Sequence, residues 1–249
     1  MLKALAYSLY PRGSVRPVLR GCRKGCRFVV RDAMGVSFSL GLTDEEAFAS
    51  RFRELIPVGC DVVDVGANRG QMALLYGKLV GPTGRVVSIE PMPELVADLE
   101  KNCELSKLKN VTAVCAAAAA SVGEMTFSFP EHAQTQGKLL DVEPSYRHQN
   151  AREVTVKTTT IDLVVEELGF KPAFMKLDVE GAGAIALKGA QATLAQYRPR
   201  ILFELHGPEE VQAARELAVQ YGYRMENSER TAVTDPGNYG GGPLFFLPQ

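Results

Sequence analysis

The residues best placed to do chemistry fall into two groups. The first is the turn Asp64-Val65-Gly66-Ala67-Asn68-Arg69-Gly70, followed 24 residues after Gly66 by Glu90 in Ile89-Glu90-Pro91. Glycines there let the backbone pass close to a ligand. A carboxylate at Glu90 can accept hydrogen bonds from both hydroxyls of a ribose and would reject a 2′-phosphate. The spacing Gly66-x-Asn68-x-Gly70 is not the G-x-G-x-x-G of a dinucleotide diphosphate cradle, which leaves a nicotinamide oxidoreductase poorly supported. The turn and the acid together describe a site for a nucleoside carrying a compact charged group.

The second group is Lys176, Asp178 and Glu180, which alternate and so share one side of a strand, with Glu204 and His206 on a later strand end. Polar side chains in an otherwise buried strand are costly unless paired. Asp178 and Glu180 are candidates to polarise an acceptor, and His206, whose ring titrates near neutrality, is a candidate base. The plainer readings are a Lys176–Asp178 ion pair, a Glu180 helix cap and a satisfied histidine at a strand end. Asp178, Glu204 and His206 could instead collect a divalent cation; no metal is assigned.

These residues need an alternating framework to position them. Strands are expected at Asp61–Val65, Arg85–Glu90, Val111–Ala116, Phe174–Val179 and Arg200–Leu205. Helices are expected at Gln71–Leu79, Pro93–Asn102, Gly183–Gln196 and Pro208–Tyr221. Such alternation requires a mainly parallel sheet with helices on both faces. Glu124–Phe129 and Glu153–Lys157 read as extra strands around a long polar segment, Pro130 to Arg152, suited to a lid or substrate wall. Tyr223–Glu226 and Pro243–Leu247 read as a hairpin closing the sheet. Near the N-terminus, Phe28 to Leu40 reads as a hairpin, and Thr43 with Glu46 as a capping box before a helix through Leu55.

The 249 residues are 46% hydrophobic and 23% charged, which excludes global disorder and allows one large α/β domain. The net charge of -1 conceals an asymmetry. The first 31 residues hold eight basic residues and no acid, and the other 20 basic and 29 acidic residues leave -9. The expected organisation is a basic arm (1–31) before a single domain (32–249, core from about 57). The arm fits a solvated or packed extension, or peripheral contact with an anionic membrane or lipid carrier. An acidic main domain argues against nucleic acid. Five cysteines, an odd number in no regular framework, suit reduced thiols, and with no signal or spanning segment the expected location is cytoplasmic.

S-adenosylmethionine matches the nucleoside description, and the chain resembles the FkbM family of class I S-adenosylmethionine-dependent methyltransferases. The resemblance is carried by Val63 to Gln71, Val87 to Pro91, Met175 to Gly181 with Leu187 to Ala190, and Pro199 to Glu204, in the family's order. It implies a Rossmann-like fold with a seven-stranded, mainly parallel sheet whose last strand is antiparallel. It also implies that Asp64, Gly66, Asn68 and Gly70 line the methionine part of the cofactor, that Glu90 holds the ribose, and that Ala117 lies near adenine. The implied reaction is O-methylation of a hydroxyl on a sugar, glycolipid or polyketide-like molecule. The chain departs from the family at Gly183, where an acid is usual, and at Ala120. Three glycines at 181, 183 and 189 predict a loose first turn in the following helix. An inactive cofactor-fold binding protein is the competing reading, and the 181–183 region is what favours it.

Overall fold

The computed structural model describes residues 10–32, 34–43, 48–130, 138–139, 151–239 and 243–249. In chain order its elements are β1 (Val15–Pro17), β2 (Arg27–Val29), α1 (Gly35–Leu40), α2 (Ala49–Leu55), β3 (Asp61–Val65), α3 (Gln71–Leu79), β4 (Arg85–Glu90) and α4 (Pro93–Leu105). They continue with β5 (Val111–Cys115), β6 (Ala117–Ala118), β7 (Gly123–Pro130), β8 (Lys138–Leu139), β9 (Ala151–Thr159) and α5 (Ile161–Glu167). The last are β10 (Pro172–Leu177), α6 (Gly183–Lys188), α7 (Gln191–Tyr197), β11 (Arg200–Glu204), α8 (Pro208–Tyr221), β12 (Tyr223–Glu226), β13 (Ala232–Val233) and β14 (Pro243–Pro248).

Eight strands form the main sheet in the order β13-β12-β14-β11-β10-β3-β4-β5. From β11 to β5 all neighbours are parallel, and β14 runs antiparallel between β11 and β12. The expected seven-stranded sheet is therefore present, with the two-residue β13 added at its edge. Strands buried on both faces need apolar side chains in both directions. Val63, Val65, Met175 and Phe203 pack one face under α5 to α8, while Val62, Val86, Phe174 and Leu202 pack the other against Phe52, Leu75 and Tyr76. The chain leaves β3 to build β4 and β5 on one side and returns to build β10 on the other. The crevice beyond the carboxyl ends of β3 and β10 is thus a topological switch point, where open α/β sheets bind ligands.

A second sheet, β6-β9-β7-β8, stands beside this end. It contains both predicted extra strands. Of the segment Pro130 to Arg152, the described residues are Pro130 at the end of β7, Lys138–Leu139, and Ala151 and Arg152 at the start of β9.

Three expectations change. Phe28 to Leu40 is not a hairpin: β2 pairs antiparallel with β1 upstream, and residues 35–40 are helical. A run as short as Val36, Phe38 and Leu40 fits either period, and β2 offers it no free edge, being paired to β1 with its Arg27 and Val29 N–H groups bonded to Ser106 and Asn102. Gly41, at φ 64°, ends the helix, and Phe38 packs edge-on to Phe28 at 4.7 Å. The helix predicted over 183–196 is two, broken at Gly189, where a Cβ would lie 2.1 Å from the Ala119 carbonyl oxygen. Finally, the first turn at Gly183 is not loose; it is buried against Phe203. The helix α2 lies where expected, whereas the capping box before it involves residues outside those described.

The basic N-terminal stretch is tied to the domain over its described part. Val29 N–H donates to Asn102 Oδ1 at 2.8 Å, the Arg31 guanidinium chelates Asp98, and Val18, Cys26, Phe28 and Val30 share a core with Ala67, Leu74 and Leu99. All five cysteines are free thiols.

Candidate functional site

At the carboxyl end of β3 the chain turns sharply. Gly66 (φ 77°), Asn68 (φ 50°) and Gly70 (φ 79°) all adopt the left-handed region, and the Gly66 and Ala67 N–H groups donate to the Ile89 carbonyl at 3.0 and 3.2 Å. The two glycines are required for different reasons. A Cβ on Gly66 would stand 1.9 Å from the Asp178 carbonyl oxygen, so the β3 and β10 ends can approach only without it. A Cβ on Gly70 would strike Leu99 at 2.7 Å, which makes Gly70 a packing residue between α3 and α4.

A cavity of about 250 Å³ opens over this turn. Of the residues implicated by sequence, Gly66, Asn68, Glu90, Ala117, Asp178 and Glu180 line it. Asp64 and Gly70 do not. Asp64 is 0% exposed and lies beneath the cavity floor, 3.9 Å from Lys176 Nζ. His206 also stands outside the lining and reaches the cavity through Asp178. Lys176, read in the sequence as a partner of Asp178, forms the floor, and residues that sequence reasoning did not single out complete the wall: Gln71 and Met72 from α3, and Phe127 and Leu139 from the second sheet. The alternation of Met125, Phe127 and Phe129 was the one local signal for that apolar wall. Leu139 comes from the segment read as a substrate wall.

Glu90 is buried, and each oxygen is held by a backbone donor: Asn68 N–H to Oε2 at 2.9 Å and Met92 N–H to Oε1 at 3.1 Å. Burial pushes its carboxyl up to about 7, with the two N–H donors working against that. Each oxygen retains lone-pair capacity.

Beneath and beside the turn lies a charge network. The Lys176 ammonium bonds Asp178 Oδ2 at 3.0 Å and approaches the Gly66 carbonyl at 3.5 Å. Burial opposes its charge, but Asp178, Asp64 and Glu204 outweigh that and raise its pKa. Burial pushes the Asp64 carboxyl up to about 6 despite Lys176. For Asp178, burial is overcome by Lys176 and His206, and the carboxyl is held well below the usual range.

The expected face formed by two strand ends is present. Leu177 registers with Phe203, so Asp178 and Glu204 follow as neighbours. His206 Nε2 lies 3.3 Å from Asp178 Oδ1, and Nδ1 lies 3.6 Å from Glu180 Oε2. The hydrogen bond to Asp178 raises the imidazole pKa against burial, and Glu180 and Glu210 add to the rise. Ligand atoms of Asp178, Glu204 and His206 lie within 4.8 Å of one another. A divalent ion among them would stand beside the Lys176 ammonium, which already supplies the countercharge to these acids.

The cavity thus offers a close backbone approach, an acid suited to a ribose, small residues at Ala117 and Ala118 beside aromatic and apolar walls, and an acid–imidazole cluster. These fit a nucleoside with a short charged extension.

A family model described as Methyltransferase FkbM domain matches residues 64–225. Two curated relatives are protein-L-isoaspartate O-methyltransferases. That of Methanothrix thermoacetophila is 35% identical over 75 residues, covering 30% of this chain and 32% of the relative. That of Aeropyrum pernix is 36% identical over 75 residues, covering 30% of this chain and 26% of the relative. The matched stretch therefore spans about a third or less of their length. A crystal structure of the methyltransferase FkbM from Methylobacillus flagellatus superposes with a TM-score of 0.53 at 16% identity, covering 86% of this chain and 53% of that one. This last likeness is one of fold.

Proposed function

The chain belongs to the FkbM methyltransferase family, and from that premise we propose that it moves a methyl group from S-adenosylmethionine to a hydroxyl of a sugar, glycolipid or polyketide-like acceptor. The observation that carries the proposal is the meeting, in one cavity, of the Gly66 close approach, the buried Glu90 carboxylate and the Asp178–Glu180 pair. Bound S-adenosylmethionine supplies an electrophilic methyl on a sulfonium.

Glu90 accepts the ribose hydroxyls with the lone pairs that Asn68 and Met92 leave open. Ala117, Ala118, Phe127 and Leu139 would hold the flat base, small side chains on one side and apolar ones on the other. Lys176 holds Asp178 in place and keeps it ionised at neutral pH. Asp178 accepts the hydrogen bond of the incoming hydroxyl and orients its lone pair, which is where proximity supplies much of the acceleration. The hydroxyl proton passes to the Asp178–His206 pair once the imidazole is neutral. Glu180, facing the other ring nitrogen, fixes the orientation of the imidazole.

Methyl transfer from isotopically labelled S-adenosylmethionine to a panel of hydroxylated sugars and glycolipids tests this reading. Label in an ether product is the expected result. Label appearing in no hydroxyl compound, or only in an amine, carboxylate or thiol product, removes the O-directed claim.

A further inference from the structure

Glu210 lies in the first turn of α8, where acids ordinarily face solvent near their own helix's free N–H groups. Its side chain does neither. The residue is 0% exposed, and its carboxylate is spent on two other segments. Oε1 accepts the Gly183 N–H at 2.8 Å, and Oε2 accepts the backbone N–H of His206. One carboxylate therefore joins the first residue of α6 to the chain just past β11.

Gly183 makes this possible. A Cβ there would stand 2.8 Å from Glu210 Oε1 and 2.4 Å from Phe203 Cε2. A side chain at 183 would have to displace both the Glu210 carboxylate and the Phe203 ring from where they stand. The acid that stands over this turn comes from position 210.

The tie bears directly on the imidazole. Asp178 and Glu180 lie on the short segment leading into α6, and His206 lies on the segment leading into α8. Glu210 holds the backbone of both segments, and so fixes the separation between the ring and the two carboxylates. The charged groups facing His206 are Asp178 and Glu180 from the β10 end, Glu204 from β11 and Glu210 from α8, with Lys176 behind Asp178.

We propose that Glu210 is a positioning residue for the proton-handling cluster: its buried carboxylate clamps the α6 entry to the β11 exit and sets where His206 stands between Asp178 and Glu180. The proposal rests on the methyl-transfer reading of the same cavity. Glu210 acts through His206 and touches neither the cavity nor the cofactor's expected contacts.

The test uses the full chain and the variant Glu210→Gln. An amide offers one acceptor oxygen, and its NH2 opposes the second N–H, so one of the two ties breaks while shape is nearly preserved. Three quantities are read: thermal unfolding, calorimetric affinity for S-adenosylmethionine, and the titration of the His206 ring by NMR, assigned with His206→Ala. The expected result is a folded variant that binds S-adenosylmethionine within about threefold of the parent. Its His206 pKa should fall by about half a unit or more, and Glu210→Asp, which keeps the charge but is too short to span both N–H groups, should lower it as well; a fall in the Gln variant with none in the Asp variant would mean that Glu210 acts by charge alone and overturns the proposal. An unchanged His206 titration in the folded Gln variant overturns the proposal. So does a Gln variant that fails to fold, or one whose cofactor affinity falls in step with the titration, since either makes Glu210 a residue of the fold at large. If the parent chain binds no S-adenosylmethionine, the proposed function fails, while the titration still decides the role of Glu210.

Discussion

Glu90 and His206 carry predictions of opposite character, because the role proposed for one is in binding and for the other in turnover. The Glu90 carboxyl sits at about 7 through burial. Ribose hydroxyls favour its ionised form, so binding is linked to loss of a proton and must weaken as pH falls below about 7. Calorimetry between pH 8 and 6 should show that decline, and Glu90→Gln should remove the pH dependence while lowering affinity about 10- to 100-fold. The imidazole of His206 is raised above its ordinary value by Asp178, with Glu180 and Glu210 adding to it. It must lose its proton before it can take one, so turnover should climb with pH through a value above the ordinary imidazole range. His206→Ala should flatten that profile and cost about 100-fold or more in turnover with cofactor affinity unchanged; an unaltered profile removes the residue from the chemistry. At this scale the sequence was legible as to place: Gly66, Glu90 and Asp178, singled out from their neighbours in the chain, line one cavity. Asp64 and Gly70 sit in the same motif, yet one lies under Lys176 and the other against Leu99. Glu210 had no local signal, because the N–H groups it serves lie 27 and 4 residues away.

Among the elements, the parallel strands and the helices α3, α4 and α8 were readable because apolar runs bounded by glycine and proline have few other solutions. Helix α5 went unread. Ile161, Val164 and Val165 bury one side of a seven-residue helix capped by the Thr160 hydroxyl, a pattern too short to separate from the strand before it. The N-terminal hairpin and the break at Gly189 depend on distant partners, respectively β1 with α4 and the Ala119 carbonyl. The turn after β3 is the element on which the cavity depends most. In Gly66→Ala the methyl meets the Asp178 carbonyl and φ 77° is strained, so the ends of β3 and β10 must part. The expected cost is at least about 2 kcal/mol in stability, together with loss of cofactor binding. A thermal melt and a titration that both match the parent would contradict the close approach described here.

At the scale of the whole molecule, the charge asymmetry visible in the sequence does not coincide with a division in packing. The net -1 separates into a basic stretch of 31 residues and a remainder of -9. Arg27, Val29 and Arg31 of that stretch are held by Ser106 at the end of α4 and by Asn102 and Asp98 within it, and its apolar side chains complete the core around Leu74 and Leu99. Asn102 also holds the Arg69 carbonyl through Nδ2 at 2.9 Å, which couples the hairpin to the turn under the cavity. Removing residues 1–31 should therefore lower the unfolding temperature by about 10 °C or more and weaken cofactor binding, as read by calorimetry. A truncated chain as stable as the parent would mean that the hairpin contributes only charge. Among the described residues no helix is long and apolar enough to cross a membrane, and exposed Arg12, Arg20, Lys24 and Arg27 give the hairpin a basic outer surface.

The central claim is that the crevice at the β3–β10 switch point holds S-adenosylmethionine. Calorimetric titration of the full chain, with S-adenosylmethionine and separately with a nicotinamide dinucleotide, tests it most directly. The account predicts saturable one-to-one binding of S-adenosylmethionine and no binding of the dinucleotide. Binding of the dinucleotide alone, or of neither compound, would contradict it.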